Sequence, residues 1–242
     1  VSRHLAVLIA AISLVAVGCG SSSSSSSSDS SASTPAATAT STPSPAATST
    51  PDLANGCEQA KQPAPKDVGD IAKPHTRLSA HTTYVAAVVT NCGDFQITLD
   101  SKRAPITGGN FKYLADKHFF DDTTFHRIVP DFVIQGGDPS GDGTGGPGYT
   151  VVEAPPKNLT YSKGVVAMAK TSTDPVGASG SQFFVVTGDQ GETLTPDYAL
   201  LGKVSEGMAT VNRIAGIQAD PNSGKPAFPV VIKSIRVVAK KK

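Results

Sequence analysis

Phe125-His126-Arg127-Ile128-Val129-Pro130-Asp131-Phe132-Val133-Ile134-Gln135-Gly136-Gly137-Asp138 reads as two short strands about a proline turn. Apolar residues crowd into 125–129 and 132–134, and Pro130-Asp131 separates them, which is the pattern of a tight hairpin. If Phe132 and Gln135 share a surface with Arg127, that surface offers a cation, an apolar ring and an amide. Composition alone favours a plainer arrangement, a solvated arginine and a core phenylalanine.

Upstream, Tyr84–Thr90 is rich in β-branched residues and ends in the turn signal Asn91-Cys92-Gly93-Asp94. Phe95, Ile97 and Leu99 then alternate with Gln96, Thr98 and Asp100, so the two runs form a hairpin with a period of two. Downstream, Tyr149–Val152, Val165–Ala169, Phe183–Val186, Ala199–Val204 and Val230–Val238 are further short apolar runs, punctuated by Gly and Pro. Two segments change to helical spacing. One follows Pro105, with Phe111, Leu114 and Ala115 on one face and Gly108-Gly109 weakening its start. The other runs from about Ser205 to Ala215, with Met208, Val211 and Ile214 in line. Many short strands and two helices predict an all-β domain, a closed barrel or sandwich, over residues 83–242.

The N-terminal third has another character. Arg3 and His4 precede an apolar run from Leu5 to Val17, shorter than the about 20 residues needed to cross a bilayer, so residues 1–19 read as an export signal. Ala16-Val17-Gly18-Cys19 resembles the lipobox of bacterial lipoproteins, with Ala16 where Leu is usual. The resemblance implies lipidation at Cys19 and a membrane contact through acyl chains. From Gly20 to Asp52 there is no Leu, Ile, Val, Met or aromatic residue, and residues 53–82 remain rich in Pro and Lys. Such a stretch buries too little apolar surface to offset its ordering entropy. Residues 20–82 are therefore expected to be a disordered linker whose later part lies over the domain surface. The expected location is the outer face of a bacterial membrane, or the exterior if Cys19 is not lipidated.

Charge and motif searches exclude several classes. The chain of 242 residues carries 21 basic and 20 acidic side chains, net +1, without the basic footprint of a nucleic-acid partner. Gly141-Asp-Gly143-Thr-Gly145-Gly146 fits a dinucleotide fingerprint by letter, but Pro147 and a strand follow it where a helix is required. The three cysteines lack metal-ligand spacing and the five histidines are scattered, so no metal and no cofactor are expected.

The stretch 125–138 closely resembles the signature of cyclophilin-type peptidyl-prolyl cis-trans isomerases. Gly143–Gly146 is similar to that family's glycine loop, Gly164–Ala169 to its substrate-edge strand, Gly180-Ser181-Gln182-Phe183-Phe184 to its second signature, and Leu201–Val204 with Glu206–Met208 to its closing strand and helix. The resemblance spans about Thr83 to Val238. It implies an eight-stranded antiparallel closed barrel capped by two α-helices, acting as a monomer on proline-containing polypeptides. It also implies residue roles. Arg127 faces the prolyl nitrogen. Phe132, Val133, Phe184 and Leu194 form the proline pocket, with Tyr198 at its edge. Gln135 hydrogen-bonds the substrate backbone, Gln182 belongs to the substrate-binding set, and Ala169-Lys170-Thr171 pairs with the residues before proline. Lys170 stands where the family often has Asn, Tyr198 where eukaryotic members often have His, and Thr193 where many have Trp.

Three functions fit this set: an isomerase for exported polypeptides, a chaperone or adaptor that grips proline segments with incidental turnover, or a surface lipoprotein engaging host or partner proteins. After lipidation of Cys19, Cys57 and Cys92 would be the only two thiols left in an exported chain, and a disulfide between them is expected.

Overall fold

The computed structural model describes residues 56–241. Residues 1–19, read above as an export signal with Cys19, and residues 20–55 of the expected linker lie outside the described residues. The elements in chain order are β1 (Thr82–Thr90), β2 (Gly93–Leu99), α1 (Pro105–Asp116), β3 (Thr123–Thr124), β4 (Arg127–Val129), β5 (Val133–Gly136), β6 (Val151–Val152), β7 (Val165–Met168), β8 (Ala178–Ser179), β9 (Phe183–Val186), a 3-10 turn (Asp189–Thr193), β10 (Leu200–Glu206), α2 (Met208–Ala215) and β11 (Val231–Lys241).

Nine strands form one antiparallel sheet in the order β3-β11-β1-β2-β10-β7-β9-β5-β4, and β6 pairs with β8 apart from it. The two ends of that order, β3 and β4, are pieces of a single stretch, Thr123–Val129. Its first two residues pair with β11 and its last three with β5. The sheet therefore curls until both ends fall on the same stretch of chain. Counted as one strand, that stretch brings the number to the eight expected. Phe125 and His126 lie outside both strands, Phe125 N–H still donating to Val230 O at 2.9 Å and the isolated bridge Thr124–Asp138 lying beside them, so the sheet is curled rather than continuously hydrogen-bonded around a ring.

Alternation decides what fills the curl. Ala86 and Val88 of β1, Phe95 and Ile97 of β2 and Ile235 of β11 point inwards and are buried. Phe111 and Leu114 of α1 and Val211 and Ile214 of α2 join the same apolar cluster from its two ends. Phe111, Phe125 and Phe183 meet edge-on near its centre, with ring centroids 5.6 Å and 5.8 Å apart, the geometry favoured by aromatic quadrupoles. The second helix starts at Met208, later than its periodicity predicts. Val204 and Glu206 are held in the ladder with β2, and Gly207 at φ 76° turns the chain out of the strand.

Residues 56–81, the part of the expected linker placed over the domain surface, form an arm fastened to the domain at separate points. Cys57 and Cys92 are joined by a disulfide with Cα atoms 4.0 Å apart, and both are buried. Glu58 N–H donates to Asn91 O at 2.7 Å. The Lys66 ammonium donates to the carbonyls of His118, Phe119 and Asp121 at 3.3, 3.0 and 2.6 Å, satisfying acceptors just past the end of α1. Burial lowers the pKa of Lys66, against the opposing pull of Asp121 and Asp122. Leu78 is buried over Gly108, and the backbone of Thr76 and Arg77 lies where a Cβ on Gly109 would sit. The glycines that weaken α1 in sequence are thus the place where the arm crosses it. The arm is held by the disulfide, by the Lys66 ammonium, by backbone bonds from Glu58, Lys66 and Leu78, and by Val68, Ile71 and Leu78 packed on the core, each too scattered along the sequence to show as a pattern.

The disulfide links residues 35 apart. In the chain-entropy account, closing a loop of this length stabilises by about 3–4 kcal/mol. Replacing both Cys57 and Cys92 with Ala is expected to lower the urea unfolding free energy by that amount, and adding reductant to the unsubstituted protein should reproduce the loss. Unchanged unfolding midpoints in both experiments would refute it.

Candidate active site

Antiparallel pairing sets Arg127 of β4 opposite Gln135 of β5, Gln135 opposite Phe184 of β9, and Phe184 opposite Ala167 of β7. Side chains at paired positions share a face, so an arginine, an amide and a ring stand in one row. The inward set from the same strands, Ile128, Ile134 and Val185, lies in the main core. The outward set, Val133, Phe184 and Val186 with Leu200 and Tyr161, forms a second apolar cluster with Phe132, Leu194 and Tyr198 packed against it. Strands buried on both faces lose alternation, which explains the unbroken apolar run Phe183–Val186.

Above that second cluster lies a cavity of about 190 Å³ lined by Arg127, Phe132, Val133, Gln135, Ala169, Lys170, Phe184, Leu194 and Tyr198. These nine residues all come from the set expected from sequence. Thr171 and Gln182, the other two, line an adjoining cavity of about 620 Å³ together with Gly143–Thr150, Asp174 and Ala178–Ser181. Gln135, Ala169 and Lys170 line both and form their common border. Thr193 is exposed, its hydroxyl donating to Gln190 O at 2.7 Å, and it lines neither cavity.

A hydrogen-bonded relay fixes the polar side of the site. Arg127 Nη1 donates to Gln135 Oε1 at 3.3 Å, and Gln135 Nε2 donates to Gln182 Oε1 at 3.0 Å. Gln182 Nε2 reaches the carbonyls of Gly143 and Gly145, each at 2.9 Å. The loop carrying those carbonyls is wound on the buried Asp138 carboxylate, which accepts from the backbone N–H groups of Ser140, Asp142 and Gly143 at 2.8, 3.1 and 2.5 Å. Glycine-rich sequence here serves a loop wrapped around a carboxylate, not a phosphate.

Several supports of the site carry no signal in a single sequence. Tyr161 is fully buried; its hydroxyl donates to Tyr198 O at 2.6 Å and accepts from Tyr198 N–H at 3.0 Å, so it positions the ring that closes the pocket. Burial pushes the Tyr161 pKa up to about 12, which keeps that hydroxyl a donor. Phe184 and Tyr198 meet at right angles, 5.4 Å between centroids. Gly224, at φ 74°, sits against the Arg127 stem and accepts from Ile128 N–H at 2.8 Å. Asn110 of α1 donates to Gly180 O at 2.8 Å and accepts from Tyr149 OH at 2.9 Å, which ties the wall of the larger cavity to the helix. Glu153 accepts from the N–H groups of Ile106 and Thr107 at 3.1 and 2.8 Å, completing a helix start that has no side-chain cap of its own.

Comparison with known proteins agrees with this geometry. Residues 85–237 match the family model described as cyclophilin type peptidyl-prolyl cis-trans isomerase/CLD. The chain belongs to that family. It is 32% identical over 204 residues to a probable peptidyl-prolyl cis-trans isomerase B of Mycobacterium tuberculosis, covering 76% of this chain and 64% of that one. To the corresponding Mycobacterium leprae protein it is 35% identical over 173 residues, and it spans 57% of that protein's length. Peptidyl-prolyl cis-trans isomerase B of Streptomyces anulatus is 35% identical over 169 residues, 63% of this chain and 95% of its own. A crystal structure of a cyclophilin-type peptidyl-prolyl cis-trans isomerase from Cryptosporidium parvum, in the presence of the dipeptide Ala-Pro, superposes with a TM-score of 0.59 at 31% identity over 64% of this chain and 99% of that one.

His126, between the relay and the glycine loop, titrates below the ordinary imidazole value. Burial disfavours its charged form most, the nearby Asp138 carboxylate opposes this, and Arg127 adds to the lowering. The unfolded chain then takes up the proton first, so stability is full above the ordinary value of about 6.5 and falls as pH drops through it. Urea midpoints measured from pH 7.5 to pH 5 should decline in the native protein and decline less in His126→Gln. Parallel curves for the two would show that His126 does not carry the effect.

Proposed function

We propose that the chain accelerates cis-trans rotation about X-Pro bonds in exported or envelope polypeptides. The observation that carries this reading is the placement of one guanidinium, Arg127, at the rim of an apolar cavity bounded by Phe132, Val133, Phe184, Leu194 and Tyr198. The apolar walls suit a proline ring, and the guanidinium suits what rotation creates there.

The reaction breaks no covalent bond. Amide resonance holds the barrier at about 18–20 kcal/mol, and in the twisted state the prolyl nitrogen regains its lone pair. A donor aimed at that nitrogen binds the twisted state better than either planar one, and only such differential binding raises the rate. Arginine is suited to the role because it stays protonated at any working pH and offers five N–H donors in a fixed plane. Gln135 holds Nη1 and leaves the remaining donors free for substrate. The edge at Ala169–Thr171 then receives the backbone before proline, so the two sides of the rotating bond are gripped by different parts of the site. Binding without turnover, as in a chaperone or adaptor, would use the apolar walls and the edge but not the guanidinium.

The cellular setting belongs to the same proposal. The basic and apolar start of the chain, Gly18-Cys19 and the Ser-rich stretch behind it support an exported monomer held at a membrane by lipid on Cys19. In that reading the clients are proline-containing polypeptides outside the cytoplasm.

Turnover of a short Ala-Pro peptide should fall about 10²–10³-fold in Arg127→Ala, the range seen when a transition-state donor is removed from other enzymes, with peptide affinity changed far less. An unchanged rate would remove Arg127 as the transition-state donor, whereas absence of turnover in the unsubstituted chain would leave only the binding module. Fatty-acid labelling in a bacterial host tests the anchor: label is expected on the unsubstituted chain and absent from Cys19→Ala. Equal partition of both into the aqueous phase without label would remove it.

A further inference from the structure

We propose that the Lys170 ammonium makes this site select proline segments with an acidic residue in one of the two positions before the proline. The inference rests on the isomerase reading and names its preferred substrate class. Lys170 lines both cavities, so its side chain stands on the border that a bound chain must cross to bring proline beneath Arg127.

The ammonium is held in place without being neutralised. Nζ donates to the carbonyls of Thr171 and Asp174, each at 3.2 Å, and lies 5.7 Å from the centre of the Tyr198 ring. An ammonium has three donors, so one remains for a ligand. Among the described residues no carboxylate lies within ion-pair distance of it. The one acidic side chain lining either cavity, Asp174, has its carboxylate engaged by Thr171 N–H and Thr171 Oγ1, each at 2.8 Å. Arg127 is the other cation on the lining, so two cations against the single Asp174 carboxylate leave the path of the substrate with a net positive charge. Because the lysine is already fixed by backbone and ring, an incoming carboxylate need not order a free side chain, a cost that usually cancels much of an exposed ion pair.

Steady-state kcat/KM on the full chain should be measured for matched peptides bearing Glu, Gln or Lys at the first or the second position before proline. At low salt, Glu is expected to exceed Gln by about threefold at one of the positions, the scale of a partly exposed ion pair, with Lys below Gln. The Glu/Gln ratio should approach one in 1 M NaCl and in Lys170→Met. Equal rates for Glu and Gln at both positions in the unsubstituted protein overturn the selectivity while leaving the isomerase reading intact. A ratio retained in Lys170→Met removes this residue as its source. If no peptide is turned over, the isomerase reading fails by itself. Calorimetric binding of the same Glu and Gln peptides then decides the selectivity, and equal affinities end it.

Discussion

Strand register across β4, β5 and β9 is the constraint behind every feature of the site. Arg127, Gln135 and Phe184 are neighbours only because each is the paired residue of the next strand. A slip of one residue would turn Ile134 and Val185 outwards and drive Gln135 into the core beside Phe125 and Phe183. β9 is buried on both faces and β4 and β5 carry their polar residues, Arg127 and Gln135, at half-buried positions, so the slip would bury an ion and an amide while exposing Ile128 and Ile134. Register here is therefore held by the apolar and the polar set together, which is why strands of three and four residues suffice.

What packing fixes for the apolar wall, hydrogen bonds fix for the polar one. The relay from Arg127 through Gln135 and Gln182 ends on two glycine carbonyls, and the loop bearing them is wound on Asp138. Each amide spends its oxygen towards Arg127 and its nitrogen towards the loop, so both glutamines have one allowed orientation. A guanidinium on a flexible stem loses side-chain entropy when it is fixed. Here that loss occurs on folding and is not repeated when a substrate arrives. The Gly224 backbone pressed against the Arg127 stem works in the same direction.

Much of this was legible in the chain because it is local. The hairpin of β1 and β2, the proline turn between β4 and β5, and the helical faces of Phe111, Leu114, Val211 and Ile214 are periodicities of neighbouring residues. The lining of the smaller cavity was legible through resemblance to a family, not through pattern; by pattern alone Arg127 is a surface charge. Tyr161, Gly224, Asn110 and Glu153 were not legible. Each acts on a partner tens of residues away, and nothing in its own surroundings marks a tyrosine that will hold Tyr198 or a glutamate that will finish a helix.

The arm of residues 56–81 shows where compositional reasoning stops. A stretch with one buried leucine and one buried cysteine lacks the apolar area to order itself, and that argument is sound for a free chain. It fails because the arm lies on a domain that is already folded, where the disulfide contributes about 3–4 kcal/mol and the rest comes from backbone bonds at Glu58, Lys66 and Leu78 and from Val68, Ile71 and Leu78 packed on the core. With Cys57 tied to Cys92, the chain between the disulfide and β1 is a loop closed at both ends, and closing a loop costs little more as it lengthens. Lys66 then needs only to find three carbonyls past α1, and Leu78 only the hollow over Gly108. The arm thereby joins the end of α1 to the neighbourhood of the glycine loop, where Lys66 N–H donates to Pro139 O at 2.9 Å. Since the relay from Arg127 ends on that loop, the arm braces the same wall from outside that Asp138 holds from within.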